Sequence, residues 1–336
     1  MFFDLQIRAN LKTLVLKNGE PKNTYIKNDN RMKAIICQKY GPPEVLKTVT
    51  LPKPVPKDDE VLVKIMATAI NSADVRIRGL KVKGIMKLVM RMVIGFTKPR
   101  KPILGTVFSG RVEAVGSKVT HFKIGENVFG MTGLKFGTNA EYIVINEKAN
   151  ITLAPMNATH EESAAIIFGG QSAIYFLEKA GIAKKSNIKV LIYGATGSVG
   201  TAAVQIAQSH NADITAVCST RGIAFIEKLG VNKVLFYDQG EFEEHTSKYD
   251  IVFDAVGKAS KKKCRSLLEK DGVFKTVEGM EVASEARSQL EKLKELFEME
   301  QYDATIDKVF PMDQVIEAHR YVEQGRKKGN VVLLIG

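Results

Sequence analysis

The chain has only three cysteines in 336 residues, Cys37, Cys218 and Cys264, and they lie far apart. That spacing excludes a disulfide framework and a zinc ribbon and suits a reducing compartment, so a cytoplasmic protein is expected. No stretch reaches the ~20 consecutive apolar residues that span a bilayer. Residues 1–31 have no long apolar core followed by a small-residue cleavage site, which excludes a secretory signal. Serine is absent from them, and Asp4, Glu20 and Asp29 do not suit a transit peptide. They read as an N-terminal extension of unassigned role. Carboxylates are missing between Asp74 and Glu113, where Arg76, Arg78, Lys81, Lys83, Lys87, Arg91, Lys98, Arg100, Lys101 and Arg111 all fall. The five histidines, His121, His160, His210, His245 and His319, show no metal-ligand spacing with one another or with a cysteine.

What remains is an ordinary soluble composition, 45% hydrophobic and 26% charged with a net charge of +12, in a chain long enough for two domains. The basic block has an internal pattern. Lys83, Lys87 and Arg91 are spaced four apart and would form one helical face opposite Met86, Met90 and Val93. Two readings follow for residues 81–101: a lid whose apolar side covers a substrate pocket, or a helix lying on a membrane surface. The lid is favoured, because about three turns anchor weakly. Nucleic acid is not expected as a partner, since no reading motif or interleaved aromatics accompany the charge.

Gly194-Ala195-Thr196-Gly197-Ser198-Val199-Gly200 follows the apolar run Ile188 to Tyr193 and opens a helical stretch ending near Gln208. Strand, glycine turn and helix N-terminus in that order form a cradle for a dinucleotide pyrophosphate. The glycines permit the turn and close backbone approach, and the helix end offers unpaired N–H groups and a positive dipole. About twenty residues on, an NAD site places an acid on the ribose hydroxyls. Here the second strand, Ile214 to Cys218, is followed by Ser219, Thr220 and Arg221. A hydroxyl and a guanidinium suit a 2′-phosphate, which Arg binds in a bidentate, charge-assisted way. The other reading is that Ser219 caps the next helix and Arg221 is solvated. The cofactor expected is NADPH.

From Met32 to about Leu153 short β-branched or apolar runs alternate with turn residues, an irregular antiparallel β module. From Ala154 helices and strands alternate, the mark of a parallel sheet, with strands at Val190 to Tyr193, Ile214 to Cys218, Lys233 to Tyr237, Ile251 to Asp254 and Val273 to Val277. A charged helix from Ser284 to about Met299 and a last strand, Val331 to Ile335, are expected to return to the first domain. The α/β domain plan is therefore 1–31 extension, 32–153 β domain completed by 281–336, and 154–280 nucleotide-binding domain.

Ile70-Asn71-Ser72-Ala73-Asp74 and Leu104-Gly105-Thr106-Val107-Phe108-Ser109-Gly110 resemble the GroES-like catalytic domain of the medium-chain dehydrogenase/reductases. Gly194 to Gly200, Phe253-Asp254-Ala255-Val256-Gly257 and Gly329-Asn330-Val331-Val332 are similar to the zinc-free quinone oxidoreductase branch. The resemblance covers Met32 to Gly336 and implies a GroES-like irregular β domain plus a Rossmann doubly wound parallel sheet. It also implies that the zinc-ligand positions of the metal-dependent members are held by Asn71, by Gly105-Thr106-Val107 and by a residue near Phe168, so no metal is expected.

Without a metal the cofactor carries the chemistry. NADPH would give hydride to a quinone or an α,β-unsaturated carbonyl. The alternatives are a zinc-free alcohol or ketone reductase of the same superfamily, or a low-turnover NADPH-binding sensor that meets membranes through residues 81–101. The resemblance puts Asn71 beside the nicotinamide, either donating to the substrate carbonyl or bonding local backbone. Asp74 is carried over as a second catalytic candidate, with a structural partnership as the competing role. Tyr237 is implied near the adenosine phosphate and Val256 and Gly257 at the nicotinamide ribose. Ser172, in a Gly169 to Ala173 stretch expected at the start of a helix, should face the nicotinamide, with Gly279 and Asn330 as further contacts. Only Met280 to Ala283 separates the last sheet strand from the Ser284 helix, leaving little room for the edge strand through which longer relatives dimerise. Dimer and monomer both remain open.

Overall fold

The computed structural model describes residues 30–336 apart from 83, 185 and 280 and the side chains of 85 and 86, so the expectations for residues 1–29, Lys83 and the Met86 side chain lie outside the described residues. The strand-rich part comprises β1 (Arg31–Cys37), β2 (Leu46–Pro52), β3 (Glu60–Ala69), α1 (Ser72–Gly79), α2 (Ile85–Ile94), β4 (Val107–Val115), β5 (Asn127–Met131), β6 (Tyr142–Asn146) and β7 (Ile151–Leu153). Helices and strands then alternate: α3 (His160–Ala180), β8 (Lys189–Tyr193), α4 (Ser198–Ser209), β9 (Asp213–Cys218), α5 (Ile223–Lys228), β10 (Lys233–Phe236), α6 (Glu241–Glu244), β11 (Tyr249–Asp254), α7 (Lys261–Ser266) and β12 (Leu268–Thr276). The chain closes with α8 (Arg287–Glu298), β13 (Ile306–Pro311), α9 (Val315–Glu323) and β14 (Asn330–Leu334).

β8 to β12 form one parallel sheet in the order β10-β9-β8-β11-β12. Its inner strands β8, β9 and β11 are largely apolar on both faces, as a sheet covered on both sides requires. Val190, Ile192, Ile214 and Ala216 join the core that includes α3, α4 and α8. Leu191, Val217 and Val252 point the other way onto Phe242, Cys264 and Leu267. The order reverses between β8 and β11, and a doubly wound sheet binds ligands beyond the carboxyl ends of the strands at such a reversal.

The second large sheet runs β13-β14-β3-β4-β5-β7, with β6 also paired to β3. β14 lies antiparallel to β3, pairing Val332 with Ala69 and Leu334 with Ala67, so the C-terminal strand enters the sheet built by the first part of the chain. Gly329, just before it, bridges to Gly197 of the glycine turn. Among the described residues no strand lies between β12 and α8, which leaves β12 at the sheet edge.

Two expectations change. α3 starts nine residues before Gly169, because Thr159 and Glu162 form a capping box. Gly169 to Ala173 therefore sit mid-helix. A Cβ on Gly169 would lie 2.4 Å from the Ser198 carbonyl oxygen, and one on Gly170 would lie 2.4 Å from Leu293, so these glycines let α3 pack closely against its neighbours. The second change concerns α2. Met90 and Ile94 turn inward onto the core of the strand-rich part, whereas Val93 is exposed.

Candidate active site

A cavity of about 850 Å³ opens at the β8/β11 reversal and runs toward the strand-rich part. Gly194, Thr196, Gly197, Ser198 and Val199 line one end. Gly194 has φ +78°, open to glycine at little cost, and a Cβ there would strike Val256 at 2.6 Å. A Cβ on Gly200 would lie 2.1 Å from the Gly194 carbonyl oxygen, so Gly200 is a packing requirement and does not itself line the cavity. Gly197 caps α4 without a side-chain hydrogen bond, and a Cβ there would meet nothing closer than 3.6 Å. The first N–H groups of α4 have no intrahelical acceptor. This cradle fits a dinucleotide pyrophosphate.

Several side chains hold the loop. Ser198 Oγ donates to Asn330 Oδ1 at 2.5 Å, and Asn330 Nδ2 donates to the Ala304 carbonyl at 2.8 Å. Asn330 thus ties the phosphate loop to β14 and does not line the cavity. The buried Asp254 carboxylate accepts the N–H groups of Val256, Gly257, Lys258 and Ala259 at 3.2, 2.9, 3.4 and 3.2 Å. It folds the turn that puts Val256 on the cavity wall and holds Gly257 at φ +71°. Tyr237 and Gly279 also line the cavity, and the Tyr237 ring lies 5.8 Å from that of Tyr193.

The Ser219 hydroxyl makes no cap hydrogen bond, contrary to the structural role considered for it. Thr220 is engaged instead: its N–H and hydroxyl both donate to Asp238, at 2.9 and 2.8 Å. Arg221 is exposed, and Lys328 Nζ donates to its carbonyl oxygen at 2.5 Å. Ser219 and Arg221 stand outside the cavity lining, at the adjoining end of β9.

At the other end Asn71 is fully committed on one side. Its Oδ1 accepts from Ala73 N at 2.8 Å and Asp74 N at 3.2 Å, while Asp74 Oδ2 accepts from Asn71 N at 2.9 Å. This capping box starts α1. Asn71 Nδ2 donates to Thr106 Oγ1 at 3.3 Å, and Thr106 lines the cavity although Asn71 and Asp74 do not. Burial pushes the Asp74 carboxyl up to about 7, opposed by its bond from the Asn71 N–H. Ser72, Phe168, Ser172 and Phe176 complete the wall at this end.

Among the described residues of 81–101 none lines the cavity, and Met90 and Ile94 of α2 join the core of the strand-rich part, while the Met86 side chain of the expected lid lies outside the described residues. Several cavity groups escaped the sequence reading, Thr106, Lys327 and Glu285 among them. Lys327 Nζ donates to the Gly329 carbonyl at 2.6 Å, and burial pulls its ammonium down to about 8 against the pull of Asp307. Glu285, also on the wall, is raised by burial. A Lys327-Lys328-Gly329 run looks like a solvated turn, and only the long-range Gly197–Gly329 bridge distinguishes Lys327.

Comparison with known proteins fits this geometry. Residues 57–156 match the alcohol dehydrogenase GroES-like domain, and 198–290 and 275–333 match zinc-binding dehydrogenase domains. The chain is 31% identical to 2-methylene-furan-3-one reductase of Solanum lycopersicum, over 93% of this chain and 81% of that one. The chain belongs to the medium-chain dehydrogenase/reductase superfamily. It is 27% identical to the NADPH-dependent alkenal/one oxidoreductase, chloroplastic, of Arabidopsis thaliana, over 90% and 79% of the two chains. The quinone oxidoreductase structure from Coxiella burnetii superposes with a TM-score of 0.82 at 25% identity, covering 91% of this chain and all of that one. A zinc, which the dehydrogenase family name implies, does not fit the donors present. Among the described residues no three His, Cys, Asp or Glu side chains gather as a metal site, and Asn71 spends its oxygen on a helix cap.

Proposed function

We infer that the chain is a zinc-independent, NADPH-dependent reductase that passes hydride to a quinone or to the β-carbon of an α,β-unsaturated ketone or aldehyde. The observation that carries this reading is the continuity of the cavity from the glycine cradle to a chamber walled by Thr106, whose hydroxyl oxygen accepts from Asn71 Nδ2 and whose proton is free to be donated. When bound, NADPH would supply the hydride. The loop N–H groups at Gly197 to Val199 hold the pyrophosphate, and Ser219 with Arg221 holds the 2′-phosphate. Val256, Gly257, Gly279 and Ser172 border the nicotinamide end and Tyr237 the adenosine side.

Thr106 donates its hydroxyl proton in a hydrogen bond to the substrate carbonyl oxygen as negative charge develops there. Asn71, by donating Nδ2 to Thr106 Oγ1, turns that hydroxyl toward the cavity and is a positioning residue. Asp74 in turn fixes Asn71. After hydride addition the α-carbon, or the quinone oxygen, takes a proton from solvent. Relatives named for enone and quinone reduction support this substrate class.

The test is NADPH oxidation with a panel of quinones, enones and simple ketones, with and without a chelator. Turnover of quinones or enones that a chelator leaves unchanged is expected. Loss of activity on chelation, faster turnover with NADH, or turnover of simple ketones alone would overturn it. Thr106→Val should lower kcat for enones roughly tenfold to a hundredfold, the range for an oxyanion donor of modest strength, with NADPH affinity unchanged.

A further inference from the structure

α2 exposes apolar residues where a surface helix is ordinarily polar. Its inward side is satisfied by Met90 and Ile94. On the outside Leu88, Val89, Met92 and Val93 are 52%, 39%, 49% and 50% exposed, and Phe96, just past the helix end, is 55% exposed. At 100° per residue the four helical positions cover an arc of about 140°, as wide as the buried stripe of an ordinary amphipathic helix. Isolated exposed apolar residues need no explanation, but a contiguous patch does.

Cations frame this patch. Lys87 and Arg91 flank it on the helix, and Lys98, Arg100 and Lys101 are exposed on the turn that follows. That turn is held to the helix: Arg100 N donates to the Ile94 carbonyl at 2.8 Å and Tyr40 donates its hydroxyl to the Gly95 carbonyl at 2.8 Å. No carboxylate occurs between Asp74 and Glu113 to balance these charges.

We propose that this outward face docks the protein on an anionic lipid surface. The apolar arc would enter the boundary between headgroups and acyl chains while the surrounding Lys and Arg side chains meet lipid anions. A second copy of the chain fits less well. A two-fold contact sets the same patch against itself, and here that would oppose cation to cation with no acid from the segment to pair them. The face is separate from the cavity, so docking leaves the glycine cradle open. The proposal does not depend on the reductase reading.

Co-sedimentation of the full chain with phosphatidylcholine vesicles, with and without phosphatidylserine, tests it. Binding should require phosphatidylserine and weaken as salt rises. The double variant Leu88→Glu/Met92→Glu, at exposed positions that the core does not use, should bind these vesicles at least tenfold more weakly with unchanged Tm and NADPH affinity. The milder pair Lys98→Gln/Lys101→Gln should lower the phosphatidylserine dependence alone. Absence of binding to phosphatidylserine vesicles, equal binding to phosphatidylcholine alone, or undiminished binding of the Glu variant would overturn the proposal. So would self-association in solution that the Glu variant abolishes without any vesicle binding, which would make the face a subunit contact.

Discussion

At the Gly194–Gly200 end of the cavity the surface offered to a ligand is mostly backbone, whereas at the Thr106 end it is side chains held in place by other side chains. The first end is rigid because its glycines leave no room: Gly194 backs onto Val256 and Gly200 onto the Gly194 carbonyl. The second depends on a relay from Asp74 through Asn71 to Thr106, a reciprocal pair of hydrogen bonds followed by a single one. Damage to the backbone end should therefore be nearly all-or-none, and damage to the relay should be graded and pH-dependent.

The largest effect belongs to the loop. Gly200→Ala places a Cβ 2.1 Å from the Gly194 carbonyl oxygen and 2.7 Å from Ala195 Cα, contacts the backbone cannot relieve locally. Overpacking of this kind costs about 1–3 kcal/mol and sometimes more. Tm should fall, and NADPH affinity, measured by fluorescence titration, should drop roughly 100-fold as the N–H groups move. Gly197→Ala is the control. Its φ of −82° suits alanine and its nearest contact is 3.6 Å, so Tm should hold. Equal losses of Tm in the two variants would remove the distinction between a packed and an open glycine.

Asp74→Asn probes the relay. Burial raises the folded-state carboxyl from 3.8 to about 7, and Oδ1 has no partner. A raised acid stabilises the fold below its unfolded value, and that contribution is lost as pH rises through the folded value. At 1.36 kcal/mol per unit the shift corresponds to about 4 kcal/mol. Stability of the native chain should fall between about pH 4 and pH 7 relative to Asp74→Asn, whose amide keeps an acceptor for Asn71 N–H. Parallel stability profiles from denaturant melts across that range would show that Asp74 is not a buried acid of this kind.

How far these regions could be read beforehand follows from the same contrast. The backbone cradle is local: strand, turn and helix are contiguous, so Gly194 to Gly200 and the neighbouring Ser219 and Arg221 stand out in one pass along the chain. The relay and the walls are not. Asn71 meets Thr106 across 35 residues, and Gly170 meets Leu293 from a helix much later in the chain. Gly169-Gly170 looked like a helix start because the Thr159–Glu162 capping box lies ten residues earlier and the helix continues unbroken through both glycines. In α2 the apolar period allows either face to be buried, and only the core shows that Met90 and Ile94 were taken.

Arg221→Ala sharpens the comparison from just beyond the cavity wall. A side chain added to a backbone site should bring selectivity more than raw affinity. Losing a charge-assisted bond to a 2′-phosphate costs about 1.5–3 kcal/mol, so NADPH affinity should fall while NADH affinity stays level. An equal loss for both cofactors would mean that Arg221 supports the loop and does not read the phosphate.

Lys327 joins the two ends, because it is a side chain placed against the backbone cradle. Its Nζ donates to the Gly329 carbonyl, and Gly329 bridges to Gly197 at the start of α4. An ammonium there adds to the positive field that the helix end offers an anion. Because burial lowers it to about 8, that charge disappears within a range where the loop N–H groups do not titrate. Below this value the ammonium is charged and assists a pyrophosphate, and the assistance is lost as pH rises through it. NADPH affinity of the native chain should therefore decline by up to about tenfold, or 1.4 kcal/mol, between pH 7 and pH 9. In Lys327→Met the affinity should start lower and show no inflection near 8, since only the backbone donors remain. An inflection that survives in Lys327→Met would place the titrating group elsewhere and leave the cradle a purely backbone device.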